Sequence, residues 1–409
     1  MYSVELNSID KIFQGSGFIN IVVNEALKKE NFDESRAKLY TKIVYGVVEN
    51  KLYLDYQLSF YLKNPNLPYD IRNILRMGVY MLYRLRLKQY HVVSSLVEMV
   101  KRINPTYTTM TNAILRNLTR NEEAKVPKDD IVFYLSTKYS YDKKLVTYLM
   151  KQYPDNIEDI LKPLKNNFNI YRINFLKTNL SEIKKSLKDI KYEIKDHALI
   201  TTENLTNSEL FKSGKIIYQD YASQKVALVS DPKPGMHILD MCSAPGSKSF
   251  HMATLVENKA DITACDIYDH KTKLINDMAL KLGVTCIKTI VCDSVLYNHD
   301  QQFDLVLLDA PCTGMGVMKH KVDMKYGFDF SKIKEITNLQ KALLGKAIKH
   351  LKEDGTLVYS TCTINKEENE DMMKYFIKKH KEFEIIEEHK YLPNEYHDGF
   401  YICKLRRKS

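Results

Sequence analysis

The chain has 409 residues and a formal net charge of +10, from 61 Lys and Arg against 51 Asp and Glu. A single hydrophobic core rarely organises that length, so we expect two or three domains of roughly 100 to 200 residues each. Apolar residues make up 44% of the chain and charged residues 27%, which excludes collagen-like and largely disordered proteins. No apolar run approaches the roughly 20 residues of a membrane span, and the N-terminus lacks a secretory signal pattern. These features predict a cytoplasmic protein.

The positive charge favours a polyanionic partner, because clustered Lys and Arg neutralise phosphates and release counterions. Codon bias toward lysine explains the same excess. The seven cysteines all lie beyond residue 240 and none has the paired spacing of a zinc site, so no metal is expected. An odd number in a cytoplasmic chain argues against disulfides. Some of these cysteines are therefore buried fillers, and others are candidates for chemistry.

Residues 1–125 are predicted to form an all-helical domain. Leu39, Ile43 and Val47 recur at the spacing that places apolar side chains on one helix face. Pro65 and Pro105 separate successive helices, because proline denies its predecessor the helical conformation. No strand pattern interrupts this region.

Residues 126–228 are predicted to form a linker and a small α+β module. A polar segment ending at Pro127 reads as the linker. A helical stretch at 142–152 then gives way to short apolar strands at 171–175 and 215–218.

Residues 229–409 alternate between strand and helix patterns. The predicted strands cover 237–241, 261–267, 286–291, 303–308 and 356–360. Near-continuous apolar runs such as 305–308 are typical of buried parallel strands, so we expect an open, doubly wound α/β sheet of the Rossmann-like kind. Two last segments, 383–386 and 399–403, are predicted to add antiparallel edge strands. The fold class is thus multidomain: all-α, then α+β, then doubly wound α/β.

Ligands of a doubly wound sheet bind at the carboxyl ends of its strands. The first such end is followed by small residues that allow close backbone approach and by a helix start with free N–H groups. A purely structural turn explains this loop equally well. Its residues are Cys242, Ser243, Ala244, Pro245, Gly246, Ser247 and Lys248.

Carboxylates follow the next three strands. Asp266 is placed to hydrogen-bond ribose hydroxyls, with helix capping as the alternative. Asp293 suits an adenine amino group, and Asp309 ends the fourth strand. Ligand-facing strand ends in this order predict a nucleoside cofactor.

Two cysteines come just past the fourth and fifth strands. Either Cys312 or Cys362 alone would usually be a buried filler. Two thiols at neighbouring strand ends, beside Asp309, instead indicate a reaction centre.

Together these residues resemble the RNA cytosine-5 methyltransferases of the NOL1/NOP2/Sun group, over roughly residues 140–409. The shared motifs are the cofactor loop 242–248, Asp-Ala-Pro-Cys 309–312, Ser-Thr-Cys 360–362 with Glu-Glu-Asn 367–369, the R-x-N-x-L-K pattern 172–177, and 219–224. The N-terminal helices resemble a NusB-type RNA-binding domain through segments 75–78, 91–93 and 112–117. This combination is similar to the members of the family that modify bacterial 16S ribosomal RNA.

The resemblance implies S-adenosylmethionine as cofactor, held by the loop 242–248, Asp266, Asp293 and Asp309. It implies that Cys362 is the nucleophile that adds to carbon 6 of cytosine, and that Cys312 assists product release. DNA cytosine methyltransferases instead use the cysteine of their Pro-Cys pair. Asp309 would hold or protonate ring nitrogen 3. Lys248 would serve the methionine end of the cofactor, with RNA or Asp309 as alternative partners.

A stacked cytosine is shielded, so the target must lie in a loop or be flipped out. Candidate RNA contacts are Arg172, Lys177, Lys319, Lys321 and the basic tail 404–408, for which a solvated end is the alternative. The sequence departs from the family at four positions. Ser247 and Ser249 replace glycine and threonine, Val322 replaces proline, and Tyr326 replaces tryptophan.

The expected partner is 16S ribosomal RNA, free or in early small-subunit assembly, and the expected state is a monomer without membrane association. Two alternatives stay open. One is a cytosine-5 methyltransferase acting on transfer RNA or 23S ribosomal RNA. The other is an RNA-binding assembly or antitermination factor without catalysis.

Overall fold

The computed structural model describes residues 2–15, 18–163, 168–298, 301–322 and 324–408. It divides into two compact units. The first comprises Met1–Pro163 with His320–Phe328, and the second Leu164–Lys319 with Asp329–Ser409. The sequence placed divisions at 125/126 and 228/229 instead. The difference arises because the helices after residue 130 pack on the preceding helical domain, where Ser140 Oγ accepts a hydrogen bond from Tyr53 N at 3.0 Å.

The described part of the first unit is helical throughout, which was predicted for residues 1–125 and for the stretch at 142–152 but not for the other helices beyond them. Its first ten helices are α1 (Ser3–Phe13), α2 (Ile19–Lys29), α3 (Glu34–Glu49), α4 (Lys51–Ser59), α5 (Tyr69–Val79), α6 (Gln89–Ile103), α7 (Thr108–Arg120), α8 (Ile131–Tyr139), α9 (Lys143–Gln152) and α10 (Ile157–Leu161). A π-helical stretch, Tyr80–Arg84, continues α5, and a 3-10 turn, Pro105–Tyr107, precedes α7. The predicted apolar faces form the core, with Ile43, Val47 and Leu75 fully buried.

A second stretch of chain, residues 320–328, belongs to this helical unit although it follows the Asp-Ala-Pro-Cys motif in sequence. Val322 is buried in the helical core. The Tyr326 hydroxyl donates to the Val48 carbonyl at 2.7 Å and accepts from Lys51 N at 3.1 Å. These backbone contacts fasten the segment to the junction between α3 and α4.

The second unit begins with the predicted α+β module. Its antiparallel sheet has the order β2-β3-β1-β4. Its elements are β1 (Asn169–Ile173), α11 (Leu180–Ser186), β2 (Tyr192–Lys195), β3 (Ala198–Thr201), α12 (Glu209–Lys212) and β4 (Ile216–Tyr218).

The doubly wound sheet has seven strands in the order β10-β11-β9-β8-β5-β6-β7. Its elements are α13 (Tyr221–Ser230), β5 (His237–Asp240), α14 (Ser247–Leu255), β6 (Asp261–Asp266), α15 (Asp269–Leu282), β7 (Ile287–Val291), β8 (Phe303–Asp309), α17 (Ser331–His350), β9 (Leu351–Thr361), α18 (Glu370–Lys379), β10 (Phe383–Tyr391) and β11 (Phe400–Arg407); the short helix α16 (Met324–Gly327) belongs to the helical unit. The fold class predicted from the sequence is confirmed.

Strand register brings the predicted site residues together at the carboxyl ends of the parallel strands. Strands β5 to β9 run parallel, with Asp240 beside Leu307 and Asp309 beside Ser360. Strand β11 was predicted to lie at an edge, but it pairs with both β9 and β10, so only β10 is an edge strand on that side. Among the described residues, no helix combines the length and apolar character needed to cross a membrane.

Candidate active site

The loop after β5 is shaped by one glycine and anchored by one serine. Gly246 has a φ of +95°, and a Cβ there would lie 2.5 Å from the Phe250 ring, so a side chain is excluded. Ser249, in the first turn of α14, donates its hydroxyl to Asp240 Oδ2 at 2.6 Å. The family's threonine is thus replaced by a residue that still supplies a hydroxyl.

Asp240 was not among the predicted site residues, although it ends the strand that leads into this loop. It is buried, and burial raises its pKa to about 6. Its Oδ1 has no hydrogen-bond partner among the described residues. The signal available in the sequence was a carboxylate directly before the run of small residues.

Asp266 ties the loop to the second strand. Its Oδ2 accepts from Ala244 N at 3.3 Å, and its Oδ1 accepts from Tyr268 N at 3.2 Å. Lys271 Nζ lies 3.7 Å from the same carboxylate. Asp266 therefore lies beside the cofactor loop, whereas the N-cap residue of α15 is Tyr268 and no side-chain hydrogen bond caps that helix.

The ends of β6 and β7 present apolar surface next to polar groups. Ile267, Val291 and Leu296 are each at least half exposed. Asp293 is exposed and accepts a hydrogen bond from Val295 N at 2.9 Å. Exposed apolar side chains beside carboxylates fit a nucleoside, whose ring needs apolar contacts and whose hydroxyls and amino group need acceptors.

Lys248 contacts Asp309, which was one of the partners that the sequence left open. Lys248 Nζ lies 2.5 Å from Asp309 Oδ2, and the Ser360 hydroxyl donates to Asp309 Oδ1 at 2.7 Å. Burial alone would lower the pKa of Lys248, but the Asp309 carboxylate outweighs it and raises that pKa. Lys248 therefore stays protonated at neutral pH.

Cys312 and Cys362 lie side by side, with their sulfurs 3.3 Å apart. The hydrogen bond with Cys362, followed by burial, raises the pKa of the Cys312 thiol well above its ordinary value. Either sulfur can be the donor of this contact. A negative charge on Cys362 also contributes to raising the pKa of Lys248, which places that ammonium within electrostatic reach of the sulfur.

Three of the remaining cysteines, Cys265, Cys286 and Cys403, fit the filler role. Cys265 and Cys403 are fully buried. Cys286 lies just before β7, at the amino end of that strand, whereas the predicted site residues follow the carboxyl ends of the strands. Cys242 is part-exposed, and burial raises the pKa of its thiol. The described part of the chain holds no group of three or more His, Cys, Asp or Glu side chains suited to a metal ion.

Of the four predicted RNA-contact residues, one is buried in the fold and one bonds to backbone carbonyls. Arg172 is fully buried, and burial lowers its pKa to about 9. It has no surface with which to touch RNA, so its assignment as an RNA contact is wrong for this structure. Lys177 is exposed, but its ammonium donates to the carbonyls of Ser213 at 2.8 Å and Lys281 at 2.9 Å.

The R-x-N-x-L-K pattern is instead a joint between the α+β module and the doubly wound sheet. Asn174, at its centre, donates through Nδ2 to the carbonyls of Gly214 and Leu282, both at 2.9 Å. Lys177 adds the two carbonyl contacts next to these. The pattern therefore joins β1, the turn before β4 and the end of α15.

The other basic candidates differ in their surroundings. Lys319 is part-exposed and lies in the second unit, whereas Lys321 is exposed and lies in the helical unit. Both remain predicted RNA contacts. The basic tail is not a solvated end, because most of it forms β11. Within it, Arg406 pairs with Glu384 at 3.1 Å and Arg407 donates to the Ile348 carbonyl at 3.2 Å.

Comparison with known families identifies both halves of the chain. Residues 227–406 match the family model described as 16S rRNA methyltransferase RsmB/F, and residues 1–120 match the NusB family. The chain is therefore similar to both families, each over its own part of the sequence. The strand-end loop, the acids and the two thiols described above all lie within residues 227–406, the part that matches the RsmB/F model.

Curated relatives match over nearly the whole length. The chain is 29% identical to the probable ribosomal RNA small subunit methyltransferase B of Bacillus subtilis (strain 168), covering 99% of this chain and 98% of that protein. It is 27% identical to the ribosomal RNA small subunit methyltransferase B of Shigella boydii serotype 18, covering 97% and 95%.

Two solved structures share the fold. The crystal structure of PH0851 matches with a TM-score of 0.78 at 25% identity, covering 99% of this chain and 97% of that one. NSun6 from Pyrococcus horikoshii, solved with SFG, matches with a TM-score of 0.57 at 22% identity, covering 69% and 99%.

Proposed function

We propose that the protein transfers a methyl group from S-adenosylmethionine to carbon 5 of a cytosine in 16S ribosomal RNA. The observation that carries the proposal is the contact between the Cys312 and Cys362 sulfurs at 3.3 Å, beside the Lys248–Asp309 ion pair. A pure RNA-binding factor has no need of two strand-end thiols next to an ion pair. The substrate class rests on the RsmB/F family match and on the names of the full-length relatives.

The cofactor would lie along the ends of β5, β6 and β7. The loop 242–248 and the unpartnered oxygen of Asp240 would hold its methionine end, Asp266 its ribose, and Asp293 its adenine. When bound, S-adenosylmethionine would supply an electrophilic methyl group. Ser247 places a side chain where the family has glycine, at the first residue of α14, and would narrow this end of the site.

Carbon 5 of cytosine is a poor nucleophile until a thiolate adds at carbon 6. In our proposal the Cys362 thiol gives its proton to water, and the thiolate sulfur donates an electron pair to carbon 6. The electrons of the carbon 5–carbon 6 double bond then shift and make carbon 5 electron-rich. Charge develops on the ring at nitrogen 3 during this addition. The Asp309 side chain would hold that nitrogen, or would protonate it with a proton received from the Lys248 ammonium, and the Ser360 hydroxyl would support the carboxylate.

The second step restores the aromatic ring. Carbon 5 would take the methyl group while the cofactor's sulfur kept the electrons of the sulfur–methyl bond. Water then accepts the hydrogen of carbon 5 as a proton, and the electrons of that carbon–hydrogen bond re-form the double bond. The Cys362 sulfur leaves with the pair that bound it to carbon 6. Cys312, adjacent to that sulfur, is the group that we propose assists this release.

The RNA would be held by residues outside the reaction centre. Lys319 and Lys321 are the proposed phosphate contacts, and the NusB-family domain is a second proposed contact surface. Free 16S RNA or an early small-subunit particle in the cytoplasm would be the substrate, and we propose that the enzyme acts as a monomer.

The test compares wild type with Cys362→Ala, Cys312→Ala and the control Cys286→Ala, using labelled S-adenosylmethionine and unmodified 16S ribosomal RNA. We expect wild type and Cys286→Ala to form 5-methylcytosine, Cys362→Ala to form neither product nor adduct, and Cys312→Ala to accumulate a covalent protein–RNA adduct. Active Cys362→Ala would refute the nucleophile assignment. Methylation of transfer RNA or 23S RNA alone would refute the substrate, and no methylation of any RNA would favour the non-catalytic factor.

A further inference from the structure

One fully buried carboxylate contacts the residues that directly follow both thiols. Glu368 Oε2 accepts from Thr313 N at 2.8 Å, and Oε1 accepts from the Thr313 hydroxyl at 2.5 Å. The Thr363 hydroxyl lies 3.5 Å from Oε1 and 3.0 Å from the Thr313 hydroxyl. Thr313 follows Cys312 and Thr363 follows Cys362, so a single side chain joins the two loops that carry the sulfurs.

The same carboxylate is held from its other side by amides. Gln340, on α17, donates through Nε2 to Glu368 Oε2 at 3.2 Å and to the Pro311 carbonyl at 2.8 Å. Asn365 Nδ2 donates to Oε1 at 3.0 Å. All these donors are neutral, so the buried carboxylate is satisfied by hydrogen bonds rather than by an ion pair.

The neighbouring Asn369 extends this support to the strand. Its Nδ2 donates to the Thr363 carbonyl at 2.9 Å, and its Oδ1 accepts from the Thr361 hydroxyl at 2.6 Å. Asn369 therefore fixes the Cys362 loop alone, whereas Glu368 reaches both loops. That distinction singles out Glu368 as the link between the thiols.

We propose that Glu368 is a positioning residue for the methyl-transfer reaction, whose carboxylate fastens the Cys312 loop to the Cys362 loop and sets the distance between the two sulfurs. The inference rests on the proposed function and deepens it. Glu368 touches neither sulfur in any described hydrogen bond, and its effect passes through Thr313 and Thr363. A misplacement of about 1 Å at reacting groups can cost roughly 100-fold in rate, so a clamp of this kind matters to catalysis.

The charge of Glu368 adds a second effect. The hydrogen bond with Cys362 and burial are the largest causes that raise the pKa of the Cys312 thiol, and the charges of Cys362, Glu368 and Asp309 add to them. Tyr359 is the other titratable group that interacts with this thiol. A carboxylate at 368 therefore adds to the causes that raise the pKa of the Cys312 thiol.

The test measures the thiol itself, apart from methyl transfer. In a Cys362→Ser background, which removes the coupled titration of the pair, iodoacetamide alkylation of Cys312 is followed against pH by peptide mass spectrometry. Glu368→Gln is compared with Glu367→Gln, which removes the same charge from an exposed neighbour. We expect only Glu368→Gln to move the midpoint to lower pH, with a roughly threefold to tenfold faster alkylation at neutral pH.

If Glu368 had only a structural role, Glu368→Gln would loosen the loop around Cys312. The maximum alkylation rate would then rise, but the pH midpoint of alkylation would not change. In the enzyme that retains Cys362, we expect Glu368→Gln to lower kcat roughly 10- to 100-fold, with KM for the cofactor unchanged. Should Glu368→Gln fail to fold, Glu368→Asp is used instead. The shorter side chain keeps the charge but moves the carboxylate away from Thr313 and Thr363, so we expect a wild-type midpoint and a reduced kcat.

An unchanged midpoint in Glu368→Gln, or wild-type kcat in Glu368→Asp, would overturn the inference. The alkylation profile does not need methylated RNA. A wild-type enzyme that methylates nothing would therefore refute the proposed function, while the Cys312 midpoint still reports on Glu368.

Discussion

Lys248 Nζ and Asp309 Oδ2 lie 2.5 Å apart, and both side chains are largely shielded from water. The first comes from the start of α14 and the second from the end of β8. The pair links the cofactor loop to the strand end that leads into Cys312. A substitution of either residue is therefore expected to affect both the cofactor loop and the strand end that leads into Cys312.

We expect Lys248→Met to lower methyl transfer by about 100-fold or more, because Asp309 loses its cationic partner and its orientation. The measurement is single-turnover transfer of label to RNA. Lys271→Met is the control, since its contact with Asp266 is longer, at 3.7 Å, and more exposed. Equal losses in the two variants would contradict a special role for the Lys248–Asp309 pair.

The same pair makes a prediction about pH. The pKa of Lys248 is raised in the folded protein, so its stabilising contribution is fully present below the ordinary lysine pKa of about 10.4 and is lost only as pH rises through the higher folded value. We expect no loss of activity from this group between neutral pH and about pH 10. An alkaline loss near pH 8 in wild type that disappears in Lys248→Met would refute it.

Asp240→Asn should raise the free energy of unfolding above pH 6 while weakening cofactor binding. Burial raises the pKa of Asp240 to about 6, so the folded state binds more protons than the unfolded state between about pH 4 and 6, and stability falls as pH rises through that range. Asn keeps an acceptor for Ser249 and removes the buried charge. We expect Asp240→Asn to be more stable than wild type above pH 6, by no more than about 3 kcal/mol, and weaker in cofactor binding.

Calorimetric melting at pH 5 and pH 8, with isothermal titration of S-adenosylmethionine, checks both parts. The stability gain should be present at pH 8 and smaller at pH 5. A variant that binds the cofactor as wild type does would remove Asp240 from the proposed site.

Salt dependence distinguishes the exposed lysine from the buried arginine. Removing one cation that neutralises a phosphate should reduce the slope of log K against log salt by about 0.7 to 0.9. We expect Lys321→Met to reduce the slope by that amount and Arg172→Met to leave it unchanged, because Arg172 is fully buried. Filter binding of 16S RNA fragments over a salt series measures both. A reduced slope in a folded Arg172→Met variant would restore Arg172 as an RNA contact.

Gly316→Ala should disturb the Cys362 loop. A Cβ at Gly316 would lie 2.0 Å from the Gly399 carbonyl oxygen and 2.7 Å from that of Cys362, so backbone must shift. We expect a stability loss of about 1 to 3 kcal/mol and a kcat lowered at least tenfold. Gly345→Ala is the control. A Cβ there meets nothing within 4 Å in the middle of α17, so it should stabilise the helix by about 0.5 to 1 kcal/mol. Wild-type kcat in Gly316→Ala would contradict the prediction.

Much of the fold could be predicted because local patterns encode it. The apolar run at 305–308 identified β8 as a buried strand, and the apolar face through Ile43 and Val47 identified α3 as a core helix. The same strand ends located Cys312 and Cys362, whose sulfurs do meet in the structure. The roles of these residues in the reaction remain proposals.

The sequence by itself determined the elements, the fold class and the strand ends at which the chemistry is expected, because hydrophobic period and turn residues act over a few neighbours. Only the tertiary structure decided the partners of buried charges. Lys248 and Asp309 are 61 residues apart, and Glu368 and Thr313 are 55 apart. The order of the strands in the sheet brings such pairs together. That order is not encoded by the local spacing of hydrophobic residues. For the same reason the burial of Arg172 and the place of residues 320–328 in the helical unit could not be read from the chain.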